Sequence, residues 1–404
     1  MLLTRNPGGP VRLANFAANL LFVPTGMVTV LLGPLLPTLS AGWGMNYAQA
    51  GSLFTAQFIG GTIGSGLSGF IASRWGFRFA VNAGLFTMAL GVAALTFVSR
   101  PVGLACICCY GIGVGLAIPA TNLLVAELNP SRRGAALSLL NFSWSLGALV
   151  CPFMIAAAAR VEQIPLLLAA IAGLLLLLLL GIAAMPARLF TASAMRESSS
   201  TTLSFNPSMR SLFVLSALFF LYVGTENAFG GWIASYAKSL GASSLTLAVA
   251  MPSFFYAALM IGRWIASLAL KRMDEVLAAR TGLVVAAIGM AGLVSSRTLP
   301  LVVISVSIAG LGLAAVYPVT ISLLSREFGP AAARVASIMF TLCNLGGASL
   351  PWLVGYFSHQ FNDLRVGLSV PLVATVLMYL FYQWNWAAAS AGPGWAGDPE
   401  LPIE

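Results

Sequence analysis

Of the 11 acidic residues in this chain, Glu226 alone lies deep inside an apolar stretch. It stands between Arg210 and Lys238, with no base in the interval. A carboxylate facing lipid is costly, so such groups face a helix-bundle interior or an aqueous cavity and mark paths for ions or solutes. A carboxyl placed there could bind and release a proton, or bind a small cation, and so couple one movement to another. The competing role is structural, with the carboxyl held by nearby hydroxyls and amides. The neighbours favour the first role. Gly224, Gly230 and Gly231 flank the acid, and glycines let a spanning helix bend or unwind so that backbone groups face a cavity.

Asn227 and Trp232 follow. Solutes rich in hydroxyls are bound by amides and acids, which bond paired hydroxyls, and by flat aromatic faces, which cover the C–H side of a ring. Side chains of that kind in other apolar stretches are Asn15, Asn19, Gln57, Asn122, Asn141, Trp144, Tyr256, Tyr317, Asn344 and Trp352. Each has a structural alternative, because amides also join helices and aromatics also form interfacial belts.

The remaining acids have ordinary places. Glu162, Glu197, Asp274, Glu275 and Asp363 fall in loops, and Asp398, Glu400 and Glu404 in the C-terminal tail. Glu127 and Glu327 fall at helix ends beside Arg132, Arg133 and Arg326. With Arg74 and Arg78 they form a candidate cytoplasmic gate, whose ion pairs would hold in one state and break in another.

Such residues need a scaffold in lipid, and the composition supplies it. Of 404 residues, 8% are charged and 59% hydrophobic, and mean hydropathy is +0.93. Soluble domains carry about a quarter charged residues. A soluble enzyme, a disulfide scaffold and a disordered chain are thereby excluded. The net charge of +9 is dispersed between apolar stretches, so it is no nucleic-acid footprint. The five cysteines lie inside apolar segments, where they act as small hydrophobes. His359, the one histidine, has no nearby thiol, so neither a metal nor a cofactor is expected. There is no Gly-x-x-x-x-Gly-Lys-Ser/Thr loop for ATP, and no nucleophile–base set for an enzyme. The basic start (Arg5, Arg12) runs into a first apolar stretch too long for a signal peptide, which reads as a retained span.

A spanning helix needs about 20 mainly apolar residues. Twelve such stretches are expected, at 13–39, 47–72, 77–99, 101–126, 134–159, 164–186, 209–236, 243–270, 277–296, 299–325, 332–358 and 366–388. Cytoplasmic loops are enriched in Lys and Arg. With the N-terminus inside, Arg100, Arg160, Lys238, Arg297 and Arg365 fall outside, and the other fifteen of the 20 bases fall inside. Both termini are therefore expected to be cytoplasmic. Residues 187–208 are Ser/Thr-rich and basic. They read as a cytoplasmic linker between halves at 1–186 and 209–388, with a tail at 389–404.

The halves repeat. Gly113-Val-Gly115, Pro119 and Glu127-Leu-Asn-Pro130 are answered by Gly310-Leu-Gly312, Pro318 and Glu327-Phe-Gly-Pro330. Gly147-Ala148 is answered by Gly347-Ala348. Repeated helical halves are a mark of transporters with a site near the bilayer midplane. The segment Gly69-Phe-Ile-Ala-Ser-Arg74-Trp-Gly76-Phe-Arg78 resembles the Gly-x-x-x-Asp-Arg-x-Gly-Arg-Arg loop of the major facilitator superfamily, with Ser73 in place of the acid. Within it, Tyr222-Val-Gly-Thr-Glu226-Asn-Ala-Phe-Gly-Gly231-Trp232, Pro119-Ala-Thr-Asn122 and Asn141-Phe-Ser-Trp144 resemble the fucose-permease branch and its sodium-dependent glucose transporter relatives.

The resemblance implies an all-α membrane protein of twelve transmembrane helices in two pseudo-symmetric halves. It places Gln57, Asn122, Asn141, Trp144 and Asn344 on spans that line the cavity, beside Glu226, Asn227, Trp232 and Tyr256 as substrate ligands. The acids that fucose–proton permeases carry in their first and fourth spans are missing here. Span one has none, and Ile118 stands at the fourth-span position, so that coupling scheme does not transfer. Arg263 reads as lying toward the inner end of its span, which leaves no buried arginine for an anionic solute. The expectation is a monomeric secondary transporter of the bacterial inner membrane. It would move a neutral sugar or similar polyhydroxylated solute with H⁺ or Na⁺ through Glu226, amid lipid and without nucleic acid. The alternative is a proton-coupled exporter of hydrophobic or lipid-like compounds.

Overall fold

The computed structural model describes residues 9–95, 99–130, 133–186, 190, 209–241, 245–270, 273–328 and 332–386. Arg132, the tail, and the linker apart from residue 190 lie outside them. The described residues form fifteen helices and no strand: α1 (Gly9–Val30), α2 (Leu32–Gly42), α3 (Tyr47–Trp75), α4 (Phe77–Ala94), α5 (Arg100–Leu128), α6 (Arg133–Arg160), α7 (Ile164–Ala184), α8 (Met209–Ser239), α9 (Leu245–Ala250), α10 (Pro252–Ala269), α11 (Glu275–Ser295), α12 (Leu299–Leu313), α13 (Val316–Phe328), α14 (Ala332–Gln360) and α15 (Leu364–Trp386). Helix is the expected outcome, because a chain in lipid must satisfy its own backbone groups.

Local chemistry sets the boundaries. Asn46 and Gln49 cap α3 reciprocally, and Asp274 accepts from the Leu277 amide at the start of α11. Prolines open α5, α7, α10 and α12, where their missing N–H has no helical partner to lose. Gly76 turns α3 into α4 at φ 86°, a conformation that glycine adopts without strain. Three expected spans are each broken into two helices, at Leu31, at Met251 and at Ala314–Ala315. Pro34, Pro252 and Pro318 lie one to four residues beyond the breaks. A proline has no N–H for the carbonyl four residues back and crowds it.

Among the described residues, ten helical stretches are long and apolar enough to cross a membrane. The leucine run of α7 is the plainest, with Leu177 and Leu180 more than half exposed, as a lipid-facing surface requires. α14 is not among the ten despite its 29 residues, and neither is the equally long α3. The glycines of α3, with Gln49, Ser52, Thr55, Gln57 and Thr62, lower its hydropathy, and it packs on α5 and α14.

The packing repeats across the linker. α1 packs on α6, α3 and α4 on α5, and α4 on α7. After the linker, α8 packs on α14, α10 and α11 on α12, and α11 on α15. Glycines make the joints close. A β-carbon at Gly147 of α6 would run into the Val23 carbonyl of α1, and one at Gly346 of α14 into the Phe220 carbonyl of α8. Small residues let backbones approach when lipid offers no hydrophobic drive between helices.

The two groups of helices meet mainly at one end. α2 lies on α8, α3 on α14, and α6 on α9 and α10. At this end Gly33 faces Gly231, Gly51 faces Trp352, and Gly355 faces Tyr47. Thr55 Oγ1 donates to the Ala348 carbonyl at 3.0 Å. Trp232, fully buried, packs against Tyr47 and Phe54 and donates to the Pro351 carbonyl at 3.0 Å. Together these contacts close the end that holds the α2–α3, α8–α9 and α14–α15 turns.

Candidate functional site

Glu226 is 8% exposed, about midway along α8. Its charge partner comes from α10. Arg263 Nη2 stands 3.7 Å from Glu226 Oε1. Arg263 Nη1 donates to Ser145 Oγ of α6 at 2.9 Å, and its guanidinium lies 5.8 Å from the centre of the Trp144 ring. One guanidinium therefore joins helices from both sides of the linker. Tyr222, one turn before Glu226, is buried beside both charges, and its ring lies 5.4 Å from that of Tyr317. The separation of 3.7 Å is beyond hydrogen-bond reach, so the two groups meet through charge rather than through a direct hydrogen bond.

Sequence reasoning missed Arg263, placing it toward the end of its span. Its Cα lies about two-thirds of the way along α10. A helical side chain, however, leans toward the N-terminus of its own helix. The guanidinium therefore reaches back into the interior rather than out toward the adjacent loop. A base inside the apolar stretch 243–270 was the available signal. Tyr222, Ser145 and Thr29 were also missed, and hydroxyls spread through apolar helices gave no comparable signal.

The expected hydroxyl ligands divide by position. Gln57, buried on α3, donates Nε2 to the Thr29 carbonyl at 2.8 Å and accepts from the Tyr110 hydroxyl at 3.1 Å. Gln57, Asn227 and Tyr256 line a recess with Thr29, Phe54 and Gly231, with about 10 Å³ of free space, room for about one water. Trp144 Nε1 donates to Thr29 Oγ1 at 3.4 Å. Asn122, Asn141 and Asn227 each donate Nδ2 to the carbonyl four residues back, at 2.8, 2.9 and 2.8 Å, which leaves one N–H and the side-chain oxygen for another partner. Asn344 Nδ2 reaches Ser65 Oγ across the interface at 3.3 Å. Trp232 sits in the closed end, away from the Glu226–Arg263 cluster. Trp352 stacks on Tyr356. Asn15 joins Asn129, and Asn19 accepts from Ser143, ties within the first group of helices.

The expected gate residues contact their own side of the linker. Arg78 Nη1 donates to the Met185 carbonyl at 2.8 Å. Arg74 lies over the neighbouring Trp75 ring, and Glu127 lies near Arg133. Arg326 Nη1 pairs with Glu275 Oε2 at 3.3 Å, and Ser211 donates to Glu327 Oε1 at 2.5 Å. Arg132 is outside the described residues.

Comparison with known proteins gives the arrangement a context. A family model described as Major Facilitator Superfamily matches residues 18–351. A niacin transporter of Acinetobacter baylyi is 31% identical over 124 residues, 30% of this chain and only 28% of that relative. A Helicobacter pylori protein assigned, provisionally, as a glucose/galactose transporter is 24% identical over 396 residues, 89% of this chain and 94% of the relative. The crystal structure of a D-xylose–proton symporter superposes with a TM-score of 0.73 at 21% identity, covering 93% of this chain and 98% of that one.

Proposed function

This chain belongs to the Major Facilitator Superfamily, and from that premise we propose that it carries a sugar or similar polyhydroxylated solute by alternating access, coupled to H⁺ or Na⁺ through Glu226. It is a multi-pass integral membrane transporter and not an enzyme. The reading takes α1–α2, α9–α10 and α12–α13 as three proline-broken spans, so that fifteen helices make twelve crossings. Residues 1–186 and 209–388 are the two halves, and 187–208 the linker. Both termini and the 389–404 tail lie on the cytoplasmic side of a bacterial inner membrane, and the protein acts as a monomer in lipid. In that orientation the closed end is external, and the central cluster opens inward.

The observation that carries this reading is the Glu226–Arg263 pair, set between α8, α10 and α6. Arg263 is tied to Ser145 and Trp144 of the other half, so a movement of the halves that breaks those ties changes the surroundings of the charge that Glu226 faces. Gln57, Asn122, Asn141, Trp144, Asn227, Tyr256 and Asn344 supply the amides and rings for a hydroxylated solute, and Trp232 supports the closed end. Arg74, Arg78, Glu127, Arg132, Arg133, Arg326 and Glu327 form the inner gate. The likeness, over 89% of this chain, to a relative provisionally assigned to glucose/galactose transport supports the sugar class. The sequence-based preference for an uncharged solute rested partly on the lack of a buried arginine, and Arg263 removes that support.

Counterflow and gradient-driven uptake of glucose and galactose in proteoliposomes test the reading. Glu226→Gln should retain exchange and lose accumulation. Accumulation against a gradient by Glu226→Gln would remove the coupling role.

A further inference from the structure

Arg263 has chemistry that coupling through Glu226 leaves unused. A guanidinium presents five N–H donors in one plane, a geometry that matches a carboxylate held by two parallel bonds. Such bonds run about 2.7–2.9 Å, whereas Glu226 stands off at 3.7 Å. The Arg263 side chain is 23% exposed, so the protein does not cover the whole of it. The Trp144 ring borders the guanidinium, and the Tyr222 and Tyr317 rings lie beside it. A cation with an open edge among aromatic faces suits a small organic anion, with the carboxylate on the edge and the body against the rings.

We propose that the solute carried at this site bears a carboxylate bound by Arg263, and that Glu226 takes the place of that carboxylate while the site is empty. The proposal rests on the reading that solute binds between the halves, and it narrows that solute to a monoanion. Charge balance supplies the mechanism. With Glu226 ionised, Arg263 already has its counter-ion. A second carboxylate would leave one uncompensated negative charge in a poorly solvated site, which is strongly unfavourable. A proton bound to Glu226 removes that excess, and the solute carboxylate becomes the counter-ion. One proton and one monoanion then cross together, and no net charge moves. The titratable groups facing the pair are Tyr222 of α8, Tyr256 of α10, Tyr317 of α13 and Cys343 of α14. Phenols and thiols carry no fixed charge at neutral pH, and α6 contributes the uncharged Ser145 and Trp144. Among the described residues, Arg263 is thus the fixed charge opposite Glu226. Sugar acids and aromatic acids share the carboxylate. The first would use Asn227 and Gln57, and the second the rings.

The test uses the purified full-length protein in proteoliposomes, with labelled glucuronate, benzoate and glucose. Uptake is driven by an inward proton gradient, with and without an inside-negative potassium–valinomycin potential, and uptake by protein-free vesicles is subtracted. At least one acid should accumulate, and the potential should not change its rate. A neutral solute carried with a proton would respond to the potential. Arg263→Gln should lower acid uptake about tenfold or more, the scale of a lost charged hydrogen-bond partner, and Arg263→Lys should keep part of it. If Arg263→Gln fails to fold, stabilisation of the wild type against heat by glucuronate or benzoate and not by glucose gives the same support. Accumulation of neither acid overturns the proposal, and so does acid uptake that follows the potential or survives intact in folded Arg263→Gln. Glucose uptake alone would sink the carboxylate and leave the sugar reading standing. Benzoate uptake alone would support the carboxylate and sink the polyhydroxylated class.

Discussion

Gln57 shows how one residue serves both structure and site. Its amide ties α3 to the Thr29 carbonyl of α1 and to the Tyr110 hydroxyl of α5, while its side chain lines the central recess. Tyr110 is fully buried, so removing the acceptor strands its hydroxyl. Gln57→Leu should cost about 1–3 kcal/mol, read as a lower thermal midpoint in detergent. Adding Tyr110→Phe should recover part of the loss, because removing both partners of a buried bond is cheaper than removing one. A double variant less stable than Gln57→Leu would show that the hydroxyl has another partner. The sequence pointed to Gln57 and Glu226 because polar atoms inside apolar stretches are conspicuous. It could not show that Gln57 was already satisfied, since Tyr110 and Thr29 are distant in the chain. Nor did it show that Arg263 bends back to Glu226, because side-chain direction within a helix is invisible to a count of charges.

At the scale of helices the sequence was more legible. The expected spans match the helices to within a few residues at most ends, because lipid leaves so few alternatives. The three internal breaks were missed although Pro34, Pro252 and Pro318 were in plain view. Hydropathy averages over a proline, while the hydrogen-bond ladder does not. The repeat read from Gly147-Ala148 and Gly347-Ala348 is one residue out of register with the glycine joints, because Gly346 meets α8 as Gly147 meets α1, while Gly347 faces the Phe58 ring of α3. Those joints carry a prediction. Gly147→Val and Gly346→Val would each press a side chain into a neighbouring backbone carbonyl, and should each cost about 1–3 kcal/mol. Gly173→Ala in α7 meets nothing within 4 Å and should gain about 0.5–1 kcal/mol from helix preference. Thermal unfolding of the three variants separates the cases. Equal midpoints would mean that the joints do not hold the helices.

At the scale of the molecule, the contacts gathered at one end define a state. Alternating access requires that end to open during each cycle, so every cross-linker contact there must break. Gly51 and Trp352 offer a direct handle. A β-carbon at position 51 would lie 3.1 Å from the Trp352 Cα, close enough for a disulfide. In a background where Cys106, Cys108, Cys109, Cys151 and Cys343 are replaced by alanine, the pair Gly51→Cys and Trp352→Cys should cross-link under mild oxidation. Cross-linking should abolish net uptake, and a reductant should restore it. Solute should still bind the locked protein from the other side, because the bond holds only one end. Binding without transport would identify a trapped state rather than a damaged one. Normal uptake by fully cross-linked protein would mean that this end never opens, and the rocking of the two halves would have to be abandoned.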